Sequence, residues 1–152
     1  MTLRLTRFLV MASLLAWITA AEAVCLDPKS GVSGYKIPLK EEIASSEIIV
    51  TAEVTNSREL QEDPADPTGI TAYIYTAHVL QQLKGRLPKT FKLRTENDSG
   101  RYPMEVGEKH VLFLHHEGKF LEADSCGSSS PLPEGDAVLH RVEEVLKANN
   151  AR

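Results

Sequence analysis

Two cysteines, Cys25 and Cys126, constrain this chain most, because they stand almost at the two ends of its foldable part. A disulfide between them closes a loop of about 100 residues, for which the chain-entropy model gives roughly 4.7 kcal/mol. Such a bond persists only in an oxidising compartment, and the first residues supply the route there. Arg4 and Arg7 precede the apolar run from Phe8 to Ile18, and the small residues Ala20, Ala21 and Ala23 follow. This is the order of a secretory signal peptide, with Ala21 and Ala23 at the −3 and −1 positions of a cleavage site. Residues 1–23 are therefore expected to be the signal peptide and residues 24–152 a single domain. The apolar run is far shorter than the roughly 20 residues of a spanning helix, so no stable membrane insertion is expected after cleavage. Cys25 lacks a lipid-attachment context, since Val24 and Glu22 stand at the flanking positions. The predicted location is secreted or periplasmic.

Of 152 residues, 129 remain after cleavage, enough for one ordinary core. Removing Arg4, Arg7 and Glu22 reduces 17 basic and 21 acidic residues to 15 and 20, a formal charge of −5. With no lysine and arginine cluster, nucleic acid is not an expected partner.

Pro38 to Ser45 reads as a short helix with Leu39 and Ile43 on one face. Glu47 to Thr55 reads as a strand with Ile48, Val50, Ala52 and Val54 on its buried side. Asn56 to Gly69, with Pro64, Pro67 and four acids, reads as an exposed loop. A second strand is expected from Thr71 to about Leu83 and a third around Phe91, Leu93 and Thr95, where apolar and charged residues alternate. Asn97-Asp98-Ser99 lies in the polar loop that follows and matches an N-glycosylation sequon, which matters only in a host that glycosylates exported proteins. His110 to His116 and Lys119 to Ala123 form a predicted hairpin through Glu117-Gly118. Asp136 to Lys147 is a predicted amphipathic helix with Val138, Leu139, Val142, Val145 and Leu146 inward. With no strand–helix alternation, the expected fold is mainly β: a small closed antiparallel barrel with a short N-terminal helix and a C-terminal amphipathic helix.

No catalytic motif appears. His115 and His116 point to opposite faces of a strand, and His110 and His116 are roughly 20 Å apart along it, so ordinary surface or half-buried histidines are expected and no metal. Gly127-Ser-Ser-Ser-Pro131 lacks the G-x-S-x-G elbow and reads as a turn. No cofactor is expected.

Cys25 close behind an exported N-terminus, the helix-then-strand segment Leu39 to Val54, and Val79-Leu-Gln-Gln-Leu-Lys-Gly85 form an ordered series. Val106-Gly-Glu-Lys-His-Val-Leu-Phe-Leu114 and Cys126-Gly127 continue it. The series resembles the netrin-like domain of the tissue inhibitors of metalloproteinases and their bacterial look-alikes, over roughly Cys25 to Ser129. The resemblance implies an OB-type barrel. It also implies a protein partner, a metalloprotease in its sharpest form, met by an edge comprising Val24, Cys25, Leu26, Asp98 and Ser99. The chain departs from that family where its zinc-binding amine would be. Val24 precedes Cys25, and Leu26 and Asp27 follow it without the second cysteine of a C-x-C pair. The leading expectation is thus an exported, non-enzymatic protein-binding module. A cell-envelope assembly factor and an unrecognised hydrolase relying on His115 or His116 are the alternatives.

Overall fold

The computed structural model describes residues 25–98 and 100–150, so the signal peptide expected at residues 1–23, Val24 and Ser99 lie outside the described residues. Helix α1 (Leu39–Ser45) leads into β1 (Ile48–Leu60), followed by β2 (Ala72–Lys84), β3 (Thr90–Glu96), β4 (Lys109–Glu117), β5 (Phe120–Ala123), the two-residue β6 (Ser130–Pro131) and helix α2 (Asp136–Asn150). The strands make one sheet in the order β1-β2-β3-β5-β4-β6, and β1 also pairs with β4. Backbone pairing therefore runs in a ring through β1, β2, β3, β5 and β4.

One pairing departs from an all-antiparallel sheet: β3 and β5 are parallel, joined at Leu93 and Leu121. The hairpin turn at Gly118 fixes the direction of β5 against β4, and that direction coincides with that of β3. β1 is also longer than its apolar pattern implies. Its polar half, Asn56 to Leu60, pairs with Ala72 to Thr76 past an irregularity at Val54/Asn56. The intervening loop is correspondingly shorter than Asn56 to Gly69. Part of the serine-rich turn forms β6 instead, where Ser130 and Pro131 pair with Val111 and His110 of β4.

β1 and β4 are apolar on both faces because both faces are covered. Ile48, Val50, Ala52, Val54, Leu112 and Leu114 join Tyr75, Phe91, Leu93 and Leu121 in one core. Ile49, Val111 and Phe113, on the opposite side of the same strands, pack with Ile43 of α1 and Val142 of α2. Both helices are held by this second layer, which is how a seven-residue helix persists. Lys84 adds a cap, its Nζ donating to the carbonyls of Ile43 (2.7 Å) and Ala44 (2.9 Å) at the end of α1.

The turn after β2 depends on a glycine. Gly85 has φ 70°, and a Cβ there would stand 2.5 Å from the Glu47 carbonyl oxygen. Gly85→Ala is expected to cost about 2–4 kcal/mol, as left-handed strain is added to a backbone collision. A chemical denaturation midpoint equal to that of the parent would contradict this packing.

Candidate functional site

Cys25 and Cys126 form the disulfide, with Cα atoms 5.5 Å apart. The bond fastens the irregular lead-in to the chain just beyond β5. Backbone bonds reinforce it: Tyr35 N–H donates to the Cys25 carbonyl (3.0 Å) and Ile37 N–H to the Cys126 carbonyl (3.1 Å). The buried Glu42 of α1 accepts the Ser128 N–H with both carboxylate oxygens, at 3.0 and 2.8 Å. Between Cys25 and Tyr35 the chain makes a small loop, closed by the Leu26–Ser33 bridge and by Asp27 N–H to the Val32 carbonyl (2.9 Å). The Asp27 carboxylate accepts the N–H groups of Ser30 and Lys29, which hold it below the usual carboxylate range. This loop leaves two apolar side chains in water, Leu26 at 56 % and Val32 at 64 % exposure.

Next to the disulfide lies a cleft of about 220 Å³. It exists because β3 and β5 share one pair, Leu93–Leu121, and then part. Arg94, Thr95 and Glu96 line it from β3, Asp98 and Arg101 from the following loop, His115 from β4, and Glu122 to Ser125 from the end of β5. A second cleft of about 210 Å³, lined by Ile37, Glu42, Ser45, Ser46 and Phe113, shares His115 and Asp124 with the first. His115 and Asp124 are thus the ridge between two adjoining depressions beside Cys126.

The charges in the first cleft are unequally matched. Arg94 pairs with Glu96 and with Glu62 (2.7 Å), which raise its pKa, and Arg94 in turn holds that of Glu62 low. Arg101 donates to Asn97 Oδ1 (3.0 Å) and lies over the Tyr73 ring at 4.9 Å. Glu122 has burial against it first and the Glu117 carboxylate second, and both raise its pKa.

Of the edge expected from the sequence, Asp98 lines this cleft, whereas Cys25, bonded to Cys126 just past it, and Leu26 do not. Val24 and Ser99 lie outside the described residues. Asn97, of the sequon, is exposed and donates its amide to the Ile70 carbonyl (2.9 Å). His116 is exposed and meets Glu47 at 2.8 Å, while His115 is half-buried in the ridge.

His110 corrects the expectation of a surface or half-buried histidine, being 1 % exposed. Its Nδ1 accepts the Tyr102 hydroxyl (2.9 Å), and its Nε2–H donates to Glu108 (3.1 Å), which also accepts the Glu105 N–H (2.8 Å). Burial lowers the His110 pKa against the opposing pull of Glu108, and it raises that of Tyr102. The network anchors the segment from Tyr102 to Glu108 to β4. Its sequence signal is the Glu-x-His pair at the start of a strand, which puts both side chains on one side.

Among the described residues no group of three or more histidine, cysteine or acidic side chains is disposed to hold a metal ion, and no helix is long and apolar enough to cross a membrane. No family model matches the chain, and no match to a curated protein is found.

Proposed function

We propose that this domain is an exported, non-enzymatic protein-binding module, secreted or periplasmic, built on an OB-type barrel. The ring order β1-β2-β3-β5-β4-β1 with parallel β3 and β5 supports the barrel reading, since an OB-type barrel is a five-stranded, partly open Greek key. The observation that carries the functional reading is the Cys25–Cys126 bond, which ties the root of an irregular loop bearing two exposed apolar side chains to the segment that leads out of a charged cleft. Irregular segments held by a rigid scaffold are where recognition concentrates. A disulfide also fits an oxidising compartment.

The sharper form of the reading is a metalloprotease inhibitor resembling the netrin-like inhibitors. With Val24 in front, the Cys25 amine lies inside a peptide bond, so inhibition here would proceed by occlusion of a cleft rather than by zinc chelation through that amine. Purified oxidised domain, processed after Ala23, is expected to slow a member of a broad metalloprotease panel, and Leu26→Asp with Val32→Asp to weaken this at least tenfold. An oxidised domain that leaves every member unaffected overturns the inhibitor form. A stable envelope partner recovered in its place, insensitive to both substitutions, would favour the assembly-factor alternative.

A further inference from the structure

The cleft between β3 and β5 has features that specify what a partner would place there. Pairing between these strands stops at Leu93–Leu121. Asn97 N–H donates to the Thr71 carbonyl, so alternation along β3 directs the Arg94 and Glu96 backbone away from β2 and toward the seam. The same alternation from the Glu117–Phe120 pair turns the Ala123 backbone toward it from β5. Thr95 and Ala123 belong to the inward-facing series of their strands, yet both line the cleft, so the depression reaches through the sheet wall. Thr95 is 6 % exposed, and its hydroxyl is a buried side-chain polar atom with no hydrogen-bond partner among the described residues. Native structures rarely leave such a group unmatched.

Around this floor stand Glu96, Asp98, Glu122 and Asp124. Asp98 and Asp124 each accept one backbone N–H, from Gly100 (2.8 Å) and Cys126 (2.7 Å), and keep oxygens facing solvent. The two arginines are already engaged, Arg94 with two carboxylates and Arg101 with Asn97 and the Tyr73 ring. The cleft therefore offers acceptors and negative charge. At about 220 Å³ it is smaller than the 300–1,000 Å³ typical of small-molecule pockets and suits one long side chain.

We propose that the cleft receives a single cationic side chain, arginine or lysine, projecting from the bound protein, with Glu122 and Asp124 facing its charge and the Thr95 hydroxyl accepting from it. This rests on the binding-module reading and names its ligand chemistry. Apposed open backbone edges add carbonyl acceptors that a guanidinium or ammonium can reach.

The test uses N-acetyl-arginine methylamide and N-acetyl-lysine methylamide as probes, with N-acetyl-citrulline methylamide as the neutral isostere of the first. Each is titrated into the oxidised, isotope-labelled domain while backbone amide shifts are followed. Saturable shifts confined to residues 93–98 and 121–126, from a cationic probe and at least fivefold weaker with citrulline, are expected. Glu122→Gln, whose half-exposed side chain is not needed for folding, should keep the parental melting temperature and weaken the cationic probe at least threefold. Equal shifts from citrulline, shifts elsewhere, no saturable shift, or a Glu122→Gln domain that binds as its parent does would each overturn the inference. These outcomes are independent of the protease panel. A domain that inhibits but ignores the probes loses this inference alone, and one that takes the probes but engages no protein loses the broader reading.

Discussion

Replacing both Cys25 and Cys126 with serine is expected to lower the unfolding free energy by about 3–5 kcal/mol, on the order of 10–20 °C in melting temperature for a domain of this size. The bond spans 101 residues, a separation at which loop closure restrains the unfolded chain strongly. In the folded state, among the described residues, the hydrogen bonds that tie the lead-in to the rest of the chain are that of the Ile37 N–H to the Cys126 carbonyl (3.1 Å) and a long Lys36 contact with the Ser125 carbonyl (3.5 Å). Denaturation with and without reductant, at pH values where the thiols stay protonated, measures the difference. A loss below about 1 kcal/mol would mean that the lead-in docks without the bond.

His110→Ala is expected to cost about 3–4 kcal/mol, from the cavity it leaves and from the buried Tyr102 hydroxyl stripped of its acceptor. The same residue gives the domain a pH dependence of definite sign. Folding lowers the His110 pKa from its ordinary 6.5, so the unfolded chain binds the extra proton first. Stability is then fully present above pH 6.5 and declines as pH falls from there through the lowered folded value. Glu108 moderates the decline by facing the imidazole, and Glu122, raised from 4.5 by burial, acts in the opposite sense. Glu47 and Glu62, held low by their partners, lose their contributions only below about pH 4.5. Urea midpoints between pH 7 and 5 should fall for the parent and stay flatter for His110→Phe; parallel slopes would show that another group titrates.

Much of this architecture was legible because the apolar residues carry their own period. Ile48, Val50, Ala52 and Val54, or Phe91, Leu93 and Thr95, state a strand and its buried face directly, and Val138, Val142 and Val145 state a helix. The polar half of β1 was not legible, since Asn56 to Glu59 are exposed and a strand exposed on both sides has no alternation to read. The parallel β3–β5 contact was hidden for a different reason: it follows from closure of the ring in space, which no local pattern encodes. The same holds for the cleft. Asp98 lay within the expected edge, but Glu122, Asp124 and Thr95 come together only where two strands separate. His110 was missed because a histidine flanked by charge reads as surface, while Tyr102 eight residues upstream supplies the partner that permits burial.

Hydrogen exchange of the oxidised and the reduced domain, followed by peptide-level mass spectrometry, addresses the central point most directly. If the disulfide is what holds the irregular loop after Cys25 in place, reduction should release protection at the Tyr35 and Ile37 amides and around Cys126 to Ser128, while β1, β2 and β4 keep theirs. Equal protection of residues 26–37 in both forms, or no disulfide-linked peptide containing Cys25 and Cys126 in the unreduced protein, would contradict it.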